Sequence, residues 1–256
     1  MAYSDFIDYK YAIARGLTNH TTTIINAYTT TLSATTGFVL QPENKWANTM
    51  PAAATYVRIT STDANDATGG TGAINVAIEG ILGSGTLAVE TIEITGQTPA
   101  TSTGQYIRIN KMYIASAGSG GVNAGIIYCG ETGDSTAAGV PKSTSTVLSM
   151  IAAGDNESHV GHYYIPAGYS GYLTAFGIGK SQDTAFGNTV KLFYKTGTVK
   201  KRSYYTVSIS QQGYYNYPIE IPIKFDAGTD LWIEAAGGAS ATTINVDLQF
   251  LLVAGD

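Results

Sequence analysis

The residues of this chain that could do chemistry are few, and their spacing limits what they can do. Asp63, Asn65 and Asp66, followed by Gly69 and Gly70, set oxygen ligands at the short spacing of a calcium loop. The loop lacks the closing bidentate Glu, and Asx side chains with glycine also make plain turns, the reading favoured here. His159 and His162 are three apart, so a strand would send them to opposite faces, where they could not share a metal. Glu79, Glu90, Glu93, Asp230 and Glu234 lie on or beside strand patterns. A pair across a sheet would suit glycoside hydrolysis, but solvated outer-face carboxylates explain them more simply. No G-x-S-x-G elbow and no glycine-rich phosphate loop before a helix is found. Enzymatic activity, a metal and a cofactor are therefore not expected.

Two groups of residues suit binding instead. Lys195, Lys200, Lys201 and Arg202 form the one dense basic stretch, at a turn between two strands. It reads as a solvated face or as a cationic finger for an acidic partner or nucleic acid. Tyr204, Tyr205, Tyr214, Tyr215 and Tyr217 follow on two neighbouring strands, and Tyr163, Tyr164, Tyr169 and Tyr172 on another pair. Tyrosine gives large contact area at low entropic cost, which suits a protein interface or stacking on sugars, beside ordinary half-buried strand aromatics. The candidate interface is Lys195, Lys200, Lys201, Arg202, Tyr204, Tyr214, Tyr215 and Tyr217.

The elements that position them are strands. Ile244, Val246, Leu248, Phe250 and Leu252 alternate with Asn245, Asp247 and Gln249, the period-two pattern of a strand with one buried face. The pattern recurs at Val57 and Ile59 around Arg58, at Ile74, Val76 and Ile78, and at Ile107 and Ile109, which it turns inward with Arg108 and Asn110 outward. No window carries helical apolar spacing with caps. Pro222, among Ile219, Ile221 and Ile223, predicts an edge strand or a bulge, and an edge is where another subunit could pair. The fold class is all-β: an antiparallel β-sandwich or jelly roll, in two β units plus an extended N-terminal arm. The arm spans residues 1–50, irregular on its own domain or reaching a neighbour. A first β-sandwich unit spans 51–130 and a Gly- and hydroxyl-rich linker 131–145. A C-terminal unit spans 146–256, with eight strands beginning near Val147, His159, Gly171, Thr189, Ser203, Tyr214, Leu231 and Thr242, the count of a jelly roll.

The 256 residues suit one large domain or two modest ones, and the 13% charged content with 30 Gly and 18 Tyr excludes a disordered chain. A net charge of −5 gives no global pull toward nucleic acid. The single Cys129, after Ile126, Ile127 and Tyr128, reads as a small buried hydrophobe and allows no intrachain disulfide. The first ten residues carry early acids and no apolar stretch, so no signal peptide is expected, and no run reaches the roughly 18 apolar residues of a membrane helix.

Several stretches carry a family resemblance. Gly69 to Gly80 (GGTGAINVAIEG), Val89 to Gly96 (VETIEITG), Tyr106 to Gly120 (YIRINKMYIASAGSG) with Asn123-Ala124-Gly125, Tyr164 to Thr174 (YIPAGYSGYLT) and Thr229 to Ala235 (TDLWIEA) resemble a group of virion structural proteins of tailed bacteriophages. The likeness runs from about residue 50 to the end and departs around 131–145 and in the Tyr-rich 204–217 region. It implies a component of the particle: a head decoration or cement protein, often trimeric, that clamps neighbouring capsid subunits. Its partners would be the major capsid protein and further copies of itself, with no membrane and no nucleic acid. It would fold in the host cytoplasm and reside on the capsid surface of the virion. Other virion parts (tail, neck or coat) and a carbohydrate-binding host-attachment module are the alternatives.

Overall fold

The computed structural model describes residues 12–13, 18, 20–29, 32, 38–39, 50–133, 136–143, 146–181, 187–197, 202–237 and 242–255. Every named element is a strand: β1 (His20–Thr29), β2 (Phe38–Val39), β3 (Thr55–Ser61), β4 (Ala73–Leu82), β5 (Leu87–Glu93), β6 (Ala100–Ala117), β7 (Ile127–Glu131), β8 (Thr136–Ala137), β9 (Val140–Pro141), β10 (Val147–Ile151), β11 (His162–Tyr164), β12 (Tyr169–Lys180), β13 (Asn188–Thr196), β14 (Arg202–Ile209), β15 (Gly213–Phe225), β16 (Thr229–Ala236) and β17 (Ile244–Ala254). The protein is all-β with antiparallel sheets packed as a sandwich.

One sheet has the order β1-β17-β12-β15, and a second the order β11-β16-β13-β14 with β2 also on β16. Their inner faces share one core, in which Ile25, Phe176, Val246 and Phe250 of the first sheet meet Leu192 and Ile233 of the second. Leaving β2 aside and counting these eight strands along the chain, the sheets read 1-8-3-6 and 2-7-4-5. That is the double Greek-key winding of a jelly roll, in which the chain passes from sheet to sheet and first and last strands lie side by side. The period-two pattern of β17 is realised: Ile244, Val246, Leu248, Phe250 and Leu252 are all buried.

Between the first and second jelly-roll strands the chain builds a separate six-stranded sheet, β10-β7-β3-β6-β4-β5. It carries its own core, including Val57, Ile59, Ile78, Tyr106, Met112 and Ile127. The N-terminal segment expected as an arm over 1–50 contributes ten residues to the jelly roll, since His20–Thr29 pairs with β17 along its length. Conversely, the strand at Val147 expected to open the C-terminal unit pairs with β7 in the inserted sheet. The expected linker 131–145 accordingly connects two strands of one sheet and holds the β8–β9 hairpin. Residues 51–130 form one sheet with β10, not a sandwich of two. The eight-strand count survives because β1 takes the place of β10.

One face assignment is corrected by bulges. Against β4, the register of β6 slips at Asn110 and again at Ile107. Each slip inserts one residue and re-aims the side chains beyond it. The buried apolar positions of β6 become Tyr106, Ile109 and Met112, three apart, while Ile107 is only half-buried. Arg108 and Asn110 turn toward the jelly roll.

Candidate interaction surface

β14 and β15 follow each other in sequence but are not paired. β14 is an edge strand on β13, and β15 is an edge strand on β12 in the opposite sheet. Their aromatic rings meet between the sheets. Phe176 lies 5.9 Å from Tyr205 and 6.3 Å from Tyr217, and Tyr204 lies 5.8 Å from both Tyr194 and Phe225. These contacts close the open side of the sandwich with stacked and tilted rings. Tyr204 and Tyr217 stay partly exposed at the rim of this closure, and Tyr214, on the outer face of β15, is 59% exposed.

Beyond Tyr217 the edge departs from its ladder. Pro218 pairs with Ala175 and Ile223 with Leu173, so residues 219–222 stand opposite Thr174 alone. The chain bulges outward there, as a proline without an N–H requires at an edge. Ile221 sits on the bulge at 84% exposure, the highest among the exposed large hydrophobic residues. Tyr214 Oη donates to Asp247 Oδ2 at 3.4 Å, and burial with the Asp247 charge raises its phenol pKa.

The predicted interface residues separate as follows. Lys195 is exposed near the end of β13. Lys200 and Lys201 lie outside the described residues, and Arg202 is described only as the first backbone position of β14. Tyr204, Tyr214 and Tyr217 are exposed, as is Ile221, but Tyr214 lies on the outer face of β15 against Asp247, while Tyr217 shares the inner face with Tyr215, which is half-buried and packs against the core. Of the other tyrosine group, Tyr163 is buried in the core, and Lys224 Nζ stands 6.0 Å over the Tyr172 ring.

The second polar assembly joins the two β units. Arg108 of β6 makes a bidentate pair with Asp230 of β16, Nε to Oδ1 at 2.6 Å and Nη2 to Oδ2 at 2.7 Å. His162 Nε2 meets Asp230 Oδ1 at 3.2 Å. Burial alone would raise the Asp230 carboxyl; the Arg108 guanidinium and the His162 hydrogen bond outweigh it and hold it well below the usual carboxylate range. Burial lowers the His162 pKa, with Arg108 acting in the same direction and Asp230 against it, so the imidazole is neutral at pH 7. Asn110 completes the seam, donating to Tyr164 O and accepting from Tyr164 N, both at 2.9 Å. Beside this seam lies a cleft of about 320 Å3 bordered by Ile24, Glu79, Lys111, Glu157 and His159. Lys111 and Glu157 pair there at 3.0 Å.

The remaining sequence candidates have local duties. Asp63 Oδ1 accepts from Asn65 N at 2.8 Å and Asn65 Nδ2 at 3.0 Å, an Asx turn. Asp66 points inward: Oδ1 accepts from Ala73 N at 2.7 Å and Ala124 N at 2.8 Å, and Oδ2 from Gly125 N at 2.9 Å and from Ser61 Oγ. Its oxygens are committed to the backbone, which leaves them poorly placed for a calcium ion. No cluster of three or more His, Cys, Asp or Glu among the described residues could hold a metal. His159 packs on the Tyr28 ring and precedes β11, while His162 binds Asp230. Glu90 accepts from Thr103 N at 2.6 Å, Gly104 N at 3.1 Å and Tyr106 Oη at 2.9 Å. Burial would raise its pKa, and these donors lower it on balance. Glu234 accepts from Trp232 Nε1 at 2.9 Å. Cys129 is fully buried, which pushes its thiol pKa up.

No family model matches the sequence, and no curated protein does. Among solved structures the chain shows weak likeness to the infectious bursal disease virus Gt strain. The identity is 10%, over 97% of this chain and 78% of that one, with a TM-score of 0.25. The Gx strain of that virus gives 11% identity over 93% and 72%, with a TM-score of 0.25. The VP2 subviral particle of infectious bursal disease virus gives 10% over 92% and 72%, with a TM-score of 0.23. The jelly-roll assignment rests on strand order, not on these likenesses.

Sequence reasoning did not single out Ile221, Asp66 as a hub, or the Arg108–Asp230 bridge. Pro222 signalled the edge, and Ile221 beside it was the available clue. The bridge joins residues 122 apart in sequence, a separation that no local pattern reports.

Proposed function

We propose that this chain is a structural component of a virus particle and, within that class, a head decoration protein that clamps neighbouring capsid subunits. The observation that carries the proposal is the exposure of four large apolar side chains, Tyr204, Tyr214, Tyr217 and Ile221, along the edge strands β14 and β15. Isolated exposed apolar residues are ordinary, but several along one pair of edge strands favour an interaction site there. The jelly roll is an architecture that viral capsid proteins share with lectins, and the sequence resemblance to tailed-phage virion proteins favours the first. A clamp of this kind works by burying apolar surface at each seam, at about 25 cal/mol per Å2 less the cost of ordering. Chemistry has no part in this function; adhesion to the major capsid protein is the activity.

The test is co-sedimentation of the purified protein with assembled heads that lack it, and with free coat subunits. Saturable binding to heads, at least tenfold weaker for Ile221→Asp and Tyr214→Ser, is the expected result. Binding that ignores both substitutions would remove this surface from the account. Failure to bind heads together with binding to tails, or to a glycan array, would move the protein to those roles.

A further inference from the structure

The first jelly-roll sheet buries one face, and its other face is polar with a low strip along the middle. On that outer face β12 presents Ala175, Gly177 and Gly179, opposite Gln249, Asp247 and Asn245 of β17. On the other flank β15 sets Asn216 opposite Gly177 and Tyr214 opposite Gly179. Glycine weakens a strand, and inside one it marks a place where another group must come close to the backbone.

Two side chains of the protein itself come close here. A Cβ on Gly177 would collide with Tyr214 Oη, and one on Gly179 with Asn245 Oδ1. Tyr214 starts opposite Gly179 and its phenol tip reaches Gly177, so the ring lies down along β12 instead of standing off the sheet. It stays largely exposed, with one face open to solvent. Asp247 holds it in place: Oδ2 accepts from Tyr214 Oη at 3.4 Å, and Oδ1 accepts from Asn26 Nδ2 at 2.7 Å. An aromatic plate is thus laid beside a half-buried carboxylate, with exposed amides of Asn26, Asn216 and Gln249 around the two.

We propose that this face binds a neutral saccharide, with a pyranose ring stacked on Tyr214 and its hydroxyls on Asp247 and Asn216. A sugar ring has an apolar C–H face and a rim of hydroxyls that both donate and accept. A tyrosine ring meets the first at low entropic cost, and a carboxylate with neighbouring amides meets the second. Charge selects the class. The outward residues of these rows include Asp247 and no Lys or Arg, so a nucleic acid or an acidic glycan would meet a like charge without a counter-charge. A dry protein contact would strip water from the carboxylate and three amides, a cost that sugar hydroxyls repay with hydrogen bonds. The face shares Tyr214 with the edge proposed for head binding, but Asp247 and Asn216 lie outside that edge set, so the two readings fail separately.

The experiment is binding of the full chain to an array of neutral pyranose oligosaccharides built from glucose, galactose, mannose and N-acetylhexosamines, with sialylated and sulfated glycans beside them. The strongest binder is then titrated by calorimetry. Saturable binding to neutral glycans is expected, weakened at least tenfold in Tyr214→Ser and in Asp247→Ala. Tyr214→Phe, which keeps the plate, stays within about threefold of wild type. Ile221→Asp leaves saccharide binding unchanged, and Asp247→Ala leaves head binding unchanged. A blank array overturns the proposal and leaves head binding untouched. So does binding confined to the acidic glycans, or binding indifferent to Asp247→Ala while circular dichroism shows that variant folded. If Asp247→Ala does not fold, the Tyr214 pair decides, and equal binding by the Ser and Phe variants overturns the proposal.

Discussion

At the residue scale, the polar groups that matter are held by partners far away in sequence. Asp66 gathers three backbone N–H groups and the Ser61 hydroxyl in a site with no solvent access. Replacing it by Ala would leave those donors buried and unpaired, costing about 3 kcal/mol or more, to be read as a lower urea midpoint at unchanged slope. The Arg108–Asp230–His162 bridge predicts the acid response. Both titrating groups have folded pKa values below their ordinary ones, so each contributes stability that is lost as pH falls. His162 acts first, below its ordinary 6.5, and Asp230 below its ordinary 3.8. Thermal melts between pH 7 and 5 should therefore fall in wild type and stay flatter in His162→Gln. Asp230→Asn at pH 7 should cost about 3 kcal/mol, because Arg108 keeps its charge without its partner.

At the element scale, the sequence was legible where a strand keeps its period and illegible where a bulge breaks it. β17 shows the first case, with five alternating apolar residues all buried. β6 shows the second: two bulges change the spacing of its buried side chains from two to three and turn Ile107 away from the core. The same region explains a glycine. A Cβ on Gly80 would stand 2.3 Å from Cδ1 of the buried Tyr106 ring, so the strand needs glycine to let the ring lie flat on it. Gly80→Ala should destabilise by about 1–3 kcal/mol, and Tyr106→Leu in that background should recover part of the loss. Ile221→Asp, by contrast, should shift stability by less than about 0.5 kcal/mol, since the side chain is solvated. Of the candidate interface, the tyrosines were legible from their density. Which of them face outward depends on how two edge strands of opposite sheets meet, and composition does not report that.

At the scale of the whole molecule, the winding order was the hidden variable. Strand count pointed to a jelly roll, but β1 closes it from more than 200 residues away in sequence, across the whole inserted sheet. Local patterns carry no signal of that length, so residues 1–50 read as an arm. Ala27→Asp separates the two readings: a fully buried, unpaired charge in the jelly-roll core should cost about 4 kcal/mol or more in chemical denaturation, where an arm residue would cost little. The central claim is that a stiff two-unit β body works by adhesion through its β14–β15 side. A density map of particles decorated with the purified protein tests it most directly. The account predicts density on the head at seams between coat subunits, with the β14–β15 edge and its bulge at Ile221 against the shell. Density confined to the tail, or a jelly roll turned so that this edge faces solvent, would contradict it.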